Sequence, residues 1–427
     1  MQYWNTITNK TLLVALISSL SIFKSFAQEN SPYSRYGLGN IKATENVVNL
    51  GMGGVAIADD NNLTVNPTNP ASFAGLKLTS FQVGVEAISI NVKNDSISNR
   101  TGSVNLAYVN LAFPLTKKIG ISFGLTPQTR AKFGMQQTDS VPGISAVENN
   151  YYGGGGTQKL YIGAAYKYKD YSFGFSTGYM FGNVVNTSES NFTDSLKIIS
   201  SSISNRTTVG GVFLQLGGLI TKPLKDEYKI TFGASYLLSQ KLNAKNEVYW
   251  KSFIGDIAAP DYEFSVDSIV ERKGKIVIPS KLSLGLMFSN GEYWKLGVDL
   301  ITSNWKNYRS YNQVDSTTNS WMLKVGGSIT PDVNAINQTW KRVTYRAGAY
   351  TGQDIFRFNE TNLPITGVTV GLGYPIRRTN LSIGQLNAAF DIGRRGTTKN
   401  GLLSEGYTRF TIGVTFNDKW FIPRKYD

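Results

Sequence analysis

The chain contains 427 residues, of which 41% are hydrophobic and only 17% are charged. It has no cysteine and no histidine, which excludes disulfides, zinc sites built on these residues and serine–histidine–aspartate triads. An excess of 43 Lys and Arg over 29 Asp and Glu gives a formal net charge of +14. The basic residues are scattered over predicted turns and loops without forming a basic stretch, so nucleic-acid binding is not expected.

Residues 1–27 have the layout of a secretory signal peptide. Lys10 precedes an apolar stretch over residues 11–23, and Ser25 and Ala27 are the small residues that a signal peptidase requires. A membrane-spanning helix needs about 20 apolar residues, so this stretch is too short to anchor the chain comfortably. We therefore predict export, with cleavage after Ala27.

Apolar residues alternate with small or polar ones through most of the sequence after residue 75. In residues 119–125 (IGISFGL) every second side chain is large and apolar, and Gly or Ser lies between them. Such segments run for roughly 11 to 15 residues, whereas an ordinary strand has about 5 to 6. A tilted strand needs about 9 to 11 residues to cross a bilayer. The pattern therefore favours membrane-spanning strands with one face toward lipid.

About fourteen such segments predict an all-β fold, a transmembrane antiparallel β-barrel over residues 76–427. Short connections alternate with longer ones, and long outer loops are predicted at residues 131–156, 185–205, 242–279, 306–319 and 394–406. Short periplasmic turns and long extracellular loops are typical of outer-membrane barrels. We expect the outer membrane as location, its lipid as one partner, and both termini in the periplasm.

Residues 28–75 do not alternate and are rich in glycine and proline. We expect this segment to lie inside the barrel as a plug, because strands in a sheet disfavour this composition. Its candidate residues are Gly51, Gly53, Gly54, Asn69, Pro70 and Ala71. The glycines lack the spacing and the strand–loop–helix context of a nucleotide-binding loop, so neither a cofactor nor a metal is expected.

The run LGMGGVAIADD followed by NPTNPASFAGL, about residues 48 to 75, resembles the start of FadL-type outer-membrane transporters. In that family these elements form an N-terminal hatch in a fourteen-stranded barrel, and the same fold includes PorV-type barrels of the type-nine secretion system. The resemblance implies a hatch at residues 28–75. The opening SPYSRYGLGN and the closing NDKWFIPRKYD are similar to outer-membrane proteins of the Bacteroidetes lineage.

Several charged residues fall on the strand face opposite the apolar one and should point into the lumen, because charges facing lipid are costly. They are Glu86, Lys229, Asp299, Arg346, Asp391 and Arg409. One interpretation is a set of opposite charges that holds the plug. A second is a ligand path in which Arg346 and Arg409 receive an anionic group. No nucleophile motif accompanies the aspartates, so an enzyme is not expected.

Two functions remain open at this stage. The FadL-type resemblance implies passive uptake of a small hydrophobic, fatty-acid-like molecule past the hatch. The alternative is a barrel that binds a protein partner as an accessory subunit of an outer-membrane secretion or assembly complex. For that role residues 242–279 form a candidate docking element with aromatic anchors. These anchors are Tyr249, Trp250, Phe253, Tyr262 and Phe264.

Overall fold

The structure is a computed structural model. It describes residues 30–94, 98–141, 144–192, 199–225, 227–256, 259–291, 293–335, 338–378 and 382–420. The predicted signal peptide lies outside the described residues. Within these ranges, no helix is both long and apolar enough to cross a membrane.

Fourteen antiparallel strands form a closed barrel, as predicted. Its strands are β2 (Thr79–Lys93), β3 (Ser98–Pro114), β4 (Ile119–Val141), β5 (Ile144–Tyr168), β6 (Tyr171–Phe192), β7 (Ser200–Pro223), β8 (Tyr228–Leu237), β11 (Lys281–Asn290), β12 (Trp294–Ser303), β14 (Ser320–Ile329), β15 (Thr344–Phe358), β16 (Thr361–Arg378), β17 (Ser382–Gly396) and β18 (Ser404–Asp418). The last strand pairs with the first from Ser404 with Lys93 to Asp418 with Thr79, which closes the wall.

The other elements are short or lie outside the wall. They are β1 (Asn40–Ile41), β9 (Gln240–Asp256), β10 (Ala259–Ile278), β13 (Arg309–Ser310), the one-turn helix α1 (Val47–Leu50), and 3₁₀ turns at Pro32–Arg35, Pro70–Gly75, Trp305–Asn307, Thr339–Arg342 and Lys399–Gly401.

The alternation in the sequence separates the two faces of the wall. On β2, Phe81 and Val85 are exposed on the outside, whereas Ser80 and Gln82 are buried. The same division recurs on β11, where Leu282 and Leu284 are exposed and Ser283 is buried. Apolar side chains thus form an outer belt suited to lipid, and polar ones line the lumen, as in membrane-spanning barrels.

One side of the barrel rises well beyond the other. Strands β8, β11, β12 and β14 have 10 residues each, whereas β5, β6 and β7 have 25, 22 and 24. The extra length of β4–β7 continues as one sheet with the β9–β10 hairpin, because β9 pairs with β7 from Ser200 to Gly210. We call this extension the raised sheet.

The raised sheet differs from the loops predicted at residues 131–156, 185–205 and 242–279. All three regions form paired strands instead. Their polar and glycine-rich sequences resemble loops, but β5, β6, β7 and β9 each pair with a strand on both sides. Gly155 and Gly156, with φ of +121° and +146°, adopt a backbone conformation that glycine tolerates.

Residues 30–78, which we call the lumenal segment, pack against the inner face of the wall. The turn Pro70–Gly75 contacts β3–β7, and helix α1 contacts β16, β17 and β18 on the opposite side. Phe73, Val55 and Ala58 are fully buried. A segment that touches both sides of a closed barrel through buried residues lies in its lumen.

The first described residue lies toward the raised end of the barrel. Asn30 bonds to Thr101 on β3 and to Gly134 on β4, far from the β3–β4 turn. Asp418 ends the last strand beside Thr79, at the other end. The described chain therefore starts and stops at opposite ends of the barrel. Both termini lie outside the described residues, so their periplasmic location stays a prediction.

Candidate functional site

The six charged residues predicted to face inward all lie on the inner face. Lys229 pairs with Asp60, and Asp299 accepts two backbone N–H groups of the lumenal segment. Glu86, Asp391 and Arg409 belong to one ionic network. Arg346 is buried against Gly51 and takes part in no ion pair among the described residues. Most of these charges therefore contact the segment or one another.

The network around Glu86 connects four strands of the wall with the segment. Its carboxylate lies 3.1 Å from Lys42 Nζ and 3.2 Å from Arg409 Nε. Arg409 also approaches Asp391 at 3.7 Å, and the Tyr350 hydroxyl donates to Asp391 at 2.7 Å. Because Arg409 is neutralised by two carboxylates, it does not form a free cationic pair with Arg346.

Three acidic residues of the lumenal segment pair with lysines of the wall. Glu45 lies 2.5 Å from Lys324, Asp59 2.9 Å from Lys295 and Asp60 2.7 Å from Lys229. Sequence reasoning identified only Lys229 among these lysines. The sequence did contain a signal for Lys324. It is a single charged residue within the apolar sequence WMLKV, at a position that faces inward.

These pairs set the ionisation of the segment's carboxyl groups. Burial raises the pKa of Glu45, but the Lys324 ammonium, a backbone hydrogen bond and Lys281 together lower it more, and the net pKa lies below the ordinary value. Burial likewise raises the pKa of Asp59, but the net pKa is lowered, and the Lys295 ammonium is the main cation that lowers it. Both carboxyl groups are therefore charged at neutral pH and act as fixed anchors.

The glycine stretch turns the chain sharply inside the barrel. Gly53 and Gly54 have φ of +70° and +79°, which favours glycine. The Gly53 N–H donates to the Thr369 hydroxyl at 2.7 Å, and a Cβ on Gly326 of β14 would lie 2.1 Å from the Met52 carbonyl oxygen. Glycine at this position of the wall thus allows the backbone of β14 to contact the backbone of the lumenal segment directly.

The adjoining N–H groups are bound by the wall aspartate. Ala56 and Ile57 donate to Asp299 Oδ2 at 2.7 and 2.9 Å. Buried backbone donors need such partners, and here one carboxylate satisfies two of them. The glycine stretch is thereby held to β12 as well as to β14 and β16.

The Asn-Pro-Ala element holds the opposite side of the segment. The Asn69 side chain accepts from the Ala71 N–H and donates to the Ile57 and Gly218 carbonyls. Pro70 is the first residue of the 3₁₀ turn that follows. Proline suits this position because a backbone N–H there would have no partner within the turn. A Cβ on Gly217 would lie 2.2 Å from Asn69 Oδ1, so this contact also depends on a wall glycine.

The barrel wall is interrupted between β3 and β4. These strands pair only from Val109 with Leu125 to Pro114 with Gly120, although both continue well beyond. Within the described ranges, the remaining parts of β3 and β4 form no ladder with each other. A lateral gap therefore runs along the wall toward the raised sheet.

The start of the lumenal segment covers the β4 side of this gap. Asn40 and Ile41 of β1 pair with Arg130 and Thr129, and the Ser31 N–H donates to the Lys132 carbonyl at 2.9 Å. Asn40 also accepts from Arg395, which in turn pairs with Asp354 and Glu405. Strand β1 is thus held by backbone bonds on one side and by an ionic cluster on the other.

A cavity of about 300 Å³ lies between the segment and the barrel wall. Small-molecule sites commonly have volumes of about 300 to 1,000 Å³. Residues Asn40–Ile41 and 42–45 form part of its boundary, so β1 lies between the cavity and the gap. Its apolar lining includes Ile88, Ile90, Met180, Leu237, Ile278 and Ile301. Its charged lining includes Glu45, Lys281, Lys324, Asp391, Arg395 and Glu405.

A comparison with protein families bears on this arrangement. The profile of one family, described as BamG, matches residues 8–427. The chain belongs to the BamG family. No curated protein matches the chain at a significant level.

Solved structures share the fold of this BamG-family barrel. A FadL homologue of Pseudomonas aeruginosa superposes with a TM-score of 0.61 at 14% identity, covering 90% of this chain and 100% of that one. The Pseudomonas putida toluene transporter TodX gives 0.57 at 15% identity, covering 90% and 100%. The Ralstonia pickettii toluene transporter TbuX gives 0.55 at 13% identity, covering 88% and 99%. The BamG-family chain therefore has the FadL-type fold of outer-membrane barrels.

The predicted docking element of the BamG-family chain is the β9–β10 hairpin. Tyr249 and Trp250 have exposed fractions of 40% and 48%, whereas Phe253 is fully buried. The side chains of Tyr262 and Phe264 lie outside the described part of the structure. Phe253 is thus buried within the raised sheet, and among the candidate anchors with described side chains Tyr249 and Trp250 are exposed.

Proposed function

We propose that the protein is an outer-membrane barrel that allows passive uptake of small hydrophobic, fatty-acid-like molecules. The observation that carries this proposal is the lateral gap between β3 and β4, which lies beside a largely apolar cavity and is covered by β1. In this proposal the raised sheet is extracellular and the end at Asp418 is periplasmic.

The proposed route has three stages. A ligand enters the cavity from the raised end, where apolar side chains such as Ile278 and Ile301 replace water around it. The lumenal segment acts as the hatch, since Gly51–Gly54 and Asn69–Ala71 hold it across the lumen and obstruct straight passage. Displacement of β1 then opens the lateral gap, through which the ligand reaches the lipid.

The likeness to toluene transporters supports a hydrophobic ligand, and the structure supports the same class through the cavity lining. Neither a catalytic nucleophile nor a cofactor is assigned a role in this route. The ion pairs of Asp59 and Asp60 need not break, because helix α1 separates both residues from β1 in the sequence.

Uptake of labelled compounds tests the proposal. Cells that lack the protein, with and without a plasmid copy, receive radiolabelled dodecanoate or toluene. We expect a several-fold higher initial uptake rate of at least one compound in the complemented cells, with glucose uptake unchanged as the integrity control. Equal rates of both compounds in the two strains would contradict the proposal.

A second candidate function is a protein-binding platform, and the raised sheet is the observation that favours it. Within the described residues, β10 pairs with β13 only at Ile276 and Val277, so most of its outer edge lacks a neighbouring strand. Exposed strand edges and aromatic side chains are common features of protein interfaces. Membership of the BamG family is compatible with this role.

Purification from native membranes in mild detergent separates this candidate from uptake alone. We expect a stoichiometric protein partner to be retained by the wild type and lost in the double variant Tyr249→Ser and Trp250→Ser, since truncating two anchors weakens an interface by about 30-fold or more. Trp340→Ser, an exposed tryptophan in a turn elsewhere, is the matched control. Equal partner recovery with the double variant would argue against the hairpin as docking site.

A further inference from the structure

Six exposed lysines are concentrated at the end of the barrel opposite the raised sheet. They lie in the β3–β4, β5–β6 and β7–β8 turns or in the strand residues next to them. The Lys167 N–H donates to the Lys118 carbonyl at 2.8 Å, which joins the first two turns. The Thr221 N–H donates to the Asp170 carbonyl at 2.8 Å, which joins the second turn to the third. We call the six residues the turn-end patch: Lys117, Lys118, Lys167, Lys169, Lys222 and Lys225.

The turn-end patch contains few anions that could neutralise its lysines. Among the described residues of the three turns, only Asp170 and Glu227 are acidic. Asp170 pairs with Lys222 at 2.7 Å, and the other five lysines take part in no ion pair among the described residues. On the raised sheet, by contrast, Lys245 pairs with Glu247 at 2.8 Å. The patch is therefore a local excess of positive charge that attracts anions.

The lipid-facing side chains of the wall continue as far as these turns. Tyr168 of β5 and Tyr171 of β6 are exposed on the outer face. Leu115 and Leu224 extend the outward faces of β3 and β7 into the turns themselves, and both are exposed. Tyrosine is enriched where a barrel wall crosses the layer of lipid head groups. The patch thus lies at the depth of the head groups rather than beyond the membrane.

Two lysines of the patch contact these tyrosine rings. Lys169 Nζ lies 5.6 Å from the centre of the Tyr168 ring, and Lys222 Nζ lies 5.6 Å from the centre of the Tyr171 ring. An ammonium group is attracted by the face of an aromatic ring. The lysine stem can follow an apolar surface while the charged end stays at its polar edge. Both charges are therefore held beside the outer face of the wall, where a lipid phosphate can reach them.

We propose that the turn-end patch binds the head groups of anionic phospholipids such as phosphatidylglycerol. In the proposed orientation these lipids belong to the periplasmic leaflet of the outer membrane. Each lysine near an anionic membrane surface strengthens the attraction by about fivefold. The exposed Leu115 and Leu224 at the same depth favour a lipid over an acidic protein, because acyl chains can cover them. The inference goes beyond uptake and does not depend on it, since it concerns the outer surface of the wall.

A fluorescent label at a single cysteine tests the proposal in the full chain, which has no cysteine of its own. Phe173→Cys places the label beside the patch, and Leu296→Cys places it on β12, which β7, β8 and β11 separate from β6. Both residues are exposed on the outer face and are third in their strands, counted from the turn end. Their depth in the membrane is therefore matched.

The labelled chains are reconstituted into vesicles of phosphatidylethanolamine and phosphatidylglycerol. One of the two lipids carries bromine, which quenches the label, at the same acyl position and in the same amount. We expect brominated phosphatidylglycerol to quench the label at residue 173 about two- to threefold more strongly than brominated phosphatidylethanolamine. The two lipids should quench the label at residue 296 equally.

Variants of the patch identify the source of that excess. A triple variant that removes three of the six charges should lose it, and the corresponding triple Arg variant should retain it. The triple variant is Lys117→Gln, Lys118→Gln and Lys169→Gln. The matched control removes three exposed lysines from the raised sheet and should leave the excess unchanged. The control is Lys241→Gln, Lys273→Gln and Lys275→Gln.

Three results would overturn the proposal. They are equal quenching by the two lipids at residue 173, an excess of the same size at residue 296, and an excess that survives in the triple Gln variant of the patch. An acidic protein that copurifies with the wild type and is lost from this variant, without any lipid preference, would assign the patch to a protein partner and also overturn it. A heat-dependent shift in gel mobility checks that each variant forms a barrel.

Discussion

A disulfide between β1 and β4 is expected to reduce uptake to that of cells lacking the protein. Ile41 and Thr129 are Cα partners in the β1–β4 ladder, and adjacent antiparallel residues lie within the range that a disulfide bridges. The natural chain has no cysteine, so the pair Ile41→Cys and Thr129→Cys can form only the intended bond within the chain. If β1 must leave β4 for a ligand to pass, the oxidised protein is closed and a reductant restores uptake.

The control for this experiment locks two strands that are already paired in the wall. Leu284→Cys and Leu300→Cys are Cα partners on β11 and β12, on the lipid side. Uptake by this variant should be the same with and without reductant. Unchanged uptake in the oxidised β1–β4 variant, with the disulfide verified by mass, would show that β1 is not the moving part.

Removal of the Lys324 ammonium is expected to lower the free energy of unfolding by about 3–5 kcal/mol. Lys324→Met leaves the Glu45 carboxylate buried and without the ammonium group that contacts it, with only the more distant Lys281 nearby, and loss of such a direct buried partner is the usual origin of so large an effect. The double variant Lys324→Met and Glu45→Gln should recover part of the lost free energy, since neither charge of the pair remains. Urea unfolding followed by gel mobility measures both, with the exposed Lys273→Met as control. An effect below about 1 kcal/mol would contradict the role of this pair as an anchor.

The same pair predicts how stability depends on pH. The pKa of Glu45 is lowered in the folded protein, so its contribution is fully present above the unfolded pKa of about 4.3. It is lost as the pH falls from there through the folded pKa. As the pH falls below about 4.3, Glu45→Gln should therefore show a shallower loss of stability than the wild type. Parallel pH profiles for the two proteins would contradict this assignment.

The barrel wall could be predicted from sequence because its signal is local. Period-two alternation within each strand, as in residues 119–125, identifies both the strand and its lipid face without knowledge of the neighbours. The inward charges follow from the same alternation. The ends of the raised strands could not be predicted, because glycine-rich residues 153–156 form a strand only through pairing with residues 130–133 and 183–186.

The candidate site could not be predicted from sequence, because it is formed by contacts between distant parts of the chain. Glu45 and Lys324 are 279 residues apart in the sequence, and no pattern around either one identifies the other. The lateral gap is a missing ladder between two strands whose sequences both alternate normally.

The position of the lumenal segment has a consequence for the order of assembly. Its contacts join residues that are far apart in the chain, from Gly53 with Thr369 to Ser31 with Glu405, 374 residues away. Such non-local contacts carry a large loop-closure entropy and form late. A segment that touches opposite walls must be enclosed while the seam between the first and last wall strands is still open. Residues 30–78 are synthesised before the wall strands. Their apolar side chains therefore stay exposed until the barrel closes around them.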